Sequence, residues 1–418
     1  MAEEAFPKHH DPFAALRYRE FSFYVLARFF LTLGIQMQSV IIGWQVYSLT
    51  KDVLMLGYSQ LAEFVPFMLV SFFSGHMVDI TSRKKVIRIS TFALLLVTCC
   101  LAWFSSASSG LLLLWGIGPL FVLVAVSGAV RGFLGPAFPA WLAQIIPRTH
   151  YTNAATWNST FWHSGFIMGN AVGGLLCMFG MPLAYSVVLV VVAISLIFVS
   201  FIADKPLPVK EKSESIWESL GTGIRFVFQN KIILGALSLD LFAVLFGGAV
   251  AMLPAFADKI LHVGSFEFGC LKAAPAAGAV ITAFFLAYLP MKKNAGKNLL
   301  FAITGFGIAT ILFALSTNFY LSLFLLLLTG AFDNVSVVVR HSILQLLTPD
   351  NMRGRVAAVN NIFIGSSNEL GGFESGVTAR LMGLVTSVIF GGLMTIGVVI
   401  ATAKLSPEIR KLNLKEIE

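Results

Sequence analysis

Long apolar runs separated by short polar breaks fill this chain. A helix crosses the hydrocarbon core of a bilayer with about 20 apolar residues. Runs of that order fall near residues 20–48, 53–78, 86–105, 111–145, 153–179 and 183–203, and again near 231–257, 266–290, 297–316, 319–347, 354–380 and 383–404. The pattern predicts twelve helices, the longest of them tilted or kinked. Pro66, Pro119, Pro136, Pro139, Pro254 and Pro275 are compatible with this, because neighbouring helices can satisfy the carbonyls that a proline frees. One sizeable polar stretch, 204–230, interrupts the pattern near the midpoint. It ends in Ile216, Leu220, Ile224 and Val227/Phe228, an apolar stripe at helical spacing. The expected plan is an N-terminal six-helix bundle at 1–203 and a cytoplasmic linker with an amphipathic surface helix at 204–230. A C-terminal six-helix bundle with a cytoplasmic tail follows at 231–418.

Composition supports a membrane protein. Hydrophobic residues make up 57% of the chain and charged residues only 12%, about half the charged share of an ordinary soluble domain. The mean hydropathy is +0.83. The N-terminus holds Glu3, Glu4, His9, His10 and Asp11 with no small-residue cleavage site, so the first helix is expected to insert uncleaved. The net charge of +8 gathers at Arg17/Arg19, Arg83–Lys85/Arg88, Arg148, Lys205–Lys212, Lys292/Lys293/Lys297, Arg353/Arg355 and Lys404–Lys415. Those clusters follow even-numbered helices or flank the termini, so the positive-inside rule places both termini and these loops in the cytoplasm. Such a distribution argues against nucleic acid as a partner. Cys99, Cys100, Cys177 and Cys270 all fall in apolar segments, with neither metal-site nor disulfide-framework spacing. Neither a metal site nor a cofactor is expected.

The halves repeat each other. Asn153 and Asn351 open the fifth and eleventh helices 198 residues apart. At the same offset Gly169-Asn170-Ala171-Val172-Gly173-Gly174 faces Ser367-Asn368-Glu369-Leu370-Gly371-Gly372. Parallel repeats of this kind build a central site between two halves in one class of transporter. Between the second and third helices, Gly75, Asp79, Arg83 and Lys84 stand in the order of a Gly-x-x-x-Asp-Arg-x-Gly-Arg-Arg motif; Ile80 and Ser82 depart from it. The fifth helix carries Gly165-x-x-x-Gly169-Asn170-x-x-Gly173-Gly174, where Asn170 stands in the place of a proline. On these residues the chain resembles the major facilitator superfamily. The first motif is similar to its cytoplasmic gate and the second to its antiporter motif. Arg131-Gly132-Phe133-Leu134-Gly135-Pro136-Ala137 and Thr348-Pro349-Asp350…Arg353-Gly354-Arg355-Val356 are similar to the branch of enterobactin-type siderophore exporters and macrolide efflux proteins. The resemblance implies an all-α membrane protein with twelve transmembrane helices in two pseudo-symmetric bundles. It also implies a monomer in the bacterial cytoplasmic (inner) membrane and an exporter function.

Each motif has a physical reading as well. Glycines every four residues let two helix backbones approach closely. Asp79 can accept from an adjacent helix N-terminus or pair with a cation, latching one face; a merely topogenic charge cluster is the alternative. Charges inside the bilayer are costly and mark pairs or polar cavities. Glu63, Asp333, Glu369 and Asp240 are the proton-coupling candidates, and Arg28, Gln36, Arg131, Asn158, Asn170, Arg340 and Asn368 the candidate cavity or substrate contacts. Arg28, Arg340, Asp240 and Lys272 can equally be interfacial. Aromatic side chains such as Trp44, Trp157 and Trp162 suit either a cargo cavity or lipid-facing packing.

An enzyme is not expected. Asp240 follows Leu239 and Asp333 follows Phe332, which is not the context of intramembrane aspartyl proteases. The chain also has no Walker A segment. The expected activity is proton-driven export of a bulky amphipathic small molecule by alternating access. A proton symporter or facilitator of the same fold is the alternative.

Overall fold

A computed structural model describes residues 12–106, 110, 114–206, 216–288, 294–349 and 352–412. The chain is all helical there. The first half contains α1 (Arg19–Thr50), α2 (Val53–Ile80), α3 (Arg83–Phe104), α4 (Gly118–Ile145), α5 (Tyr151–Cys177) and α6 (Met181–Ser200). A linker helix, α7 (Ile216–Gln229), follows. The second half contains α8 (Lys231–Phe246), the short α9 (Leu253–Lys259), α10 (Ser265–Tyr288), α11 (Ala295–Leu315), α12 (Phe319–Leu347), α13 (Arg353–Met382), α14 (Leu384–Leu405) and a one-turn α15 (Pro407–Lys411).

Local chemistry sets the ends of these helices. The Asp52 carboxylate accepts from Leu54 N–H, Asn230 from Ile232 and Ile233 N–H, and Asn318 from Leu321 N–H, each satisfying donors that a helix start leaves unpaired. Gly180 (φ 96°) and Gly383 (φ 90°) begin α6 and α14 from the left-handed region, which suits glycine. Matching glycines at matching turns extend the internal repeat beyond the fifth and eleventh helices.

Two expectations about helices need correction. The seventh apolar run, expected to be continuous over 231–257, breaks after Phe246, and a 3-10 turn at Ala249–Met252 leads into α9. Gly247 and Gly248 lie at the break. A Cβ on Gly248 would come within 2.5 Å of Gly371 O and Ser375 Oγ of α13, so α13 presses against the interruption. The fourth helix starts at Gly118 rather than near 111. Pro119 and Pro254 stand in the first turns of α4 and α9, where no intrahelical hydrogen bond is lost; only Pro66, Pro136, Pro139 and Pro275 lie within helices.

Among the described residues, ten segments are long and apolar enough to cross a membrane. The two long helices outside that set are α5 and α13, with 27 and 30 residues. These are the polar members of the repeat, and both lie where the halves meet. Helix α5 packs on α1 in its own half and on α10 in the other; α13 packs on α8 and on α2. Asn170 of α5 and Asn360, Ser367 and Ser375 of α13 are buried in protein.

The connections alternate between two ends of the molecule. The terminal end carries the start of α1, the linker and α15; the far end carries the α1–α2, α9–α10 and α11–α12 connections. At the far end the halves touch backbone to backbone, at Gly57 against Gly376 and Gly174 against Gly269. Lys51–Asp258 (2.9 Å) and Arg380–Asp52 (3.4 Å) pair across the same seam. At the terminal end the linker helix rests on α13, where Gly223 meets the backbone of Arg355. Val227 of the linker is fully buried, whereas Ile224 and Phe228 are exposed; the side chains of Ile216 and Leu220 lie outside the described residues.

Candidate functional site

A cavity of about 440 Å³ lies between the halves beneath the far-end seam, within the range usual for small-molecule sites. Most long helices of both halves line it. Its polar walls are Ser39 of α1, Gln60 and Glu63 of α2, His163 of α5, Lys272 of α10, Asp333 of α12 and Asn368 of α13. Trp162, Phe166, Phe268 and Phe306 supply aromatic surface. Lys272 Nζ donates to Ser39 Oγ across the halves at 2.9 Å. No described residue offers Asp333 a hydrogen bond or an ion pair.

The predicted site residues divide into four groups. Glu63, Asp333 and Asn368 line the cavity, and Arg131 of α4 pairs with Glu63 at its edge. Asp240 and Arg340 pair with each other between α8 and α12, at 7% and 2% exposure, away from the cavity. Neither lines the central cavity. Membrane-depth burial of two charges requires such pairing.

Arg28, Gln36, Asn158 and Asn170 are not on the cavity wall. Arg28 lies over the Phe138 ring at 4.8 Å, a cation–π contact. Gln36 packs against Gly169. Asn170 is fully buried and its amide donates to Phe166 O one helical turn back, so it does not introduce the kink that a proline would. Asn158 Oδ1 is buried with no partner among the described residues. The side chains of Asp79 and Glu369 lie outside the described residues.

The two sequence motifs have clear local structure. Gly165, Gly169 and Gly173 face α1, where a Cβ would come within 2.7–2.9 Å of its atoms. Gly174 faces the other way, and a Cβ there would lie 2.4 Å from Ser265 O of α10. One glycine motif therefore serves two seams: α5 to α1 within a half, and α5 to α10 between halves. In the gate motif Gly75 has open space around it. Arg83 and Lys84 are buried, and Lys84 reaches Asp204 at 3.8 Å within the same half.

Sequence reasoning overlooked Ser39 and Gln60 and left Lys272 open between the interface and the interior. A signal for α2 was present. Ser59, Gln60 and Glu63 follow helical spacing and draw a polar stripe along an otherwise apolar helix.

Two six-helix halves around a central cavity lined from both sides are the architecture of an alternating-access membrane transporter. Residues 10–417 match the family described as transmembrane secretion effector, and the chain belongs to that family of major facilitator transporters. It is 24% identical over 382 residues to the enterobactin exporter EntS of Shigella flexneri, covering 90% of this chain and 89% of that protein. It is 23% identical over 280 residues to the MFS-type transporter YfmI of Bacillus subtilis (strain 168), covering 63% and 68%. The fold is that of the nucleoside transporter NupG (TM-score 0.74, 13% identity, 93% of this chain and 100% of that one). The xylose transporter XylE from E. coli shares it as well (TM-score 0.72, 14% identity, 95% and 99%). The protein is an integral membrane transporter and not an enzyme.

Proposed function

We propose that the protein is a proton-driven exporter of a bulky amphipathic small molecule, working as an antiporter by alternating access. The observation that carries this reading is the cavity itself, in which the carboxylates of Glu63 and Asp333 share one aromatic-lined space. Carboxylates in a water-poor cavity can exchange protons with whichever side the cavity faces. The aromatic walls suit a cargo with flat apolar surface. Its relation to an enterobactin exporter supports outward transport and puts catecholate siderophores first among cargo classes, with macrolide-like compounds next.

The basic clusters at the terminal end support a cytoplasmic position for that end, and the bacterial inner membrane is the proposed location. The sealed far end is then the outer face, and the described conformation faces inward. The proposed domains are 1–203 and 231–418, joined by the linker 204–230, whose exposed Ile224 and Phe228 would rest on the cytoplasmic leaflet. The transporting unit is proposed to be the monomer.

Uptake of labelled siderophores and macrolides into inside-out vesicles with an acidic lumen tests the reading. Accumulation that an uncoupler abolishes is expected. Coupling seen only in right-side-out vesicles, as inward transport, would replace export with symport.

A further inference from the structure

A second, much smaller pocket of about 10 Å³ lies between α8 and α12, walled by Asp240, Asp333, Ser336, Phe306 and Phe332. Asp333 also lines the central cavity, so one carboxylate borders both spaces. Asp333, Ser336 and Arg340 succeed one another at helical spacing on α12 and point along one face. Ser336 is 2% exposed, and its hydroxyl has no hydrogen-bond partner among the described residues. Buried hydroxyls ordinarily have one. The pocket offers about the room that one water needs, and such a water takes two to four polar partners. Asp240, Asp333 and Ser336 provide them.

We propose that a single water in this pocket carries a proton between Asp333 and the Asp240–Arg340 pair, held in place by Ser336. This rests on the proton-driven reading above. In the relay, Asp333 releases a proton to the water as the water passes one to the Asp240 carboxylate. The water is regenerated, Asp333 becomes anionic and Asp240 neutral. Arg340 keeps its charge and loses its counter-ion, which loosens the α8–α12 junction in response to an event in the cavity.

The charged groups around Asp333 fit this assignment. Glu63, His163 and Lys272 face it across the central cavity, and Asp240 with Arg340 through the small pocket. His341 next to Arg340 is exposed, α11 presents only Ile303 and Phe306, and α13 adds Asn368. The first half has a comparable pocket of about 10 Å³ at Glu63–Arg131. There Gln38 Nε2 donates to Ser127 Oγ at 3.4 Å and Thr98 Oγ1 donates to Gln38 Oε1 at 2.7 Å. Both polar groups are satisfied by protein, and the relay is therefore assigned to the second half alone.

Infrared difference spectra of the full chain in lipid, recorded through a pH titration, test this without any cargo. Asp333→Asn identifies one carboxyl band. The double variant Asp240→Asn/Arg340→Gln identifies the other and avoids leaving an uncompensated buried arginine. Removing Asp333 is expected to move the Asp240 midpoint by about one pH unit or more, the mark of coupled titration. Ser336→Val, which fills the pocket, is expected to abolish that dependence. An Asp240 that stays ionised throughout the folded range overturns the relay, as does coupling that survives Ser336→Val at full size. Because the spectra need no transport, failure of the relay and failure of the proton-driven reading show in separate experiments.

Discussion

Each half of the molecule sets an arginine from its fourth helix against an acid, but the two pairs are built differently. In the first half Arg131 meets Glu63 of α2 at the cavity edge, at 29% and 18% exposure. In the second half Arg340 meets Asp240 of α8 at 2% and 7%. The tenth position of α8 is Asp240, and the tenth position of α1 is Arg28. Arg28 rests on the Phe138 ring of α4, where its counterpart in the second half binds an ion-pair partner. The repeat thus holds helix packing constant while letting charge migrate between helices. Pseudo-symmetric folds of this kind can carry one pair part-exposed at the cavity edge and one buried between helices.

That contrast can be broken most forcefully at the buried pair. Arg340→Met alone is expected to cost about 3–5 kcal/mol, because it strands a buried charge. Unfolding of the purified protein in detergent would measure this, and Asp240→Leu/Arg340→Met should restore most of the loss. The far-end seam comes next. Gly174→Leu would drive a side chain into α10, and overpacking of about 1–3 kcal/mol predicts a rise of about ten-fold or more in outward openness. Labelling of a cysteine placed at Gln60 by a membrane-impermeant thiol reagent, in a background without native cysteines, reads that change. The cavity-edge pair should behave oppositely to the buried one. Glu63→Gln is expected to cost only about 1.5–3 kcal/mol of stability while abolishing uphill transport, which separates function from folding in the same vesicle assay. Smallest of all are the exposed cross-seam pairs. Lys51→Ala or Arg380→Ala should move the inward–outward balance by no more than about five-fold, less in high salt, seen in the same labelling experiment.

The membrane class, the helix order and a close-packing glycine face on α5 were legible in the sequence, because hydropathic length and glycine spacing are one-dimensional properties; that α1 is the partner of that face was not. Who pairs with whom was not. Whether Glu63 meets Arg131, or Asp240 meets Arg340, depends on how far each helix is rotated and how deep it sits against its neighbour, which hydropathy does not encode. Arg28 and Arg340 read alike in sequence, yet one lies on a ring and the other in an ion pair. The break at Gly247–Gly248 was hidden for a related reason. Apolar residues continue through it, and the interruption reflects pressure from Gly371 and Ser375 on another helix. Lys272 looked interfacial by depth, and only its reach to Ser39 in the other half places it inside the cavity.

The segment after α14 turns back into the protein. Ile409 is fully buried and Leu412 nearly so; Ile409 touches Gly235 of α8 and Gly296 of α11, and Gly296 N–H donates to Leu412 O at 3.3 Å. Two helices whose contact residues, Gly235 and Gly296, are 61 positions apart are therefore fastened by a stretch that leaves the ribosome after both of them. The second half can reach its finished packing only once synthesis has passed this point, and a stalled or clipped chain would present an unclosed bundle to quality-control proteases.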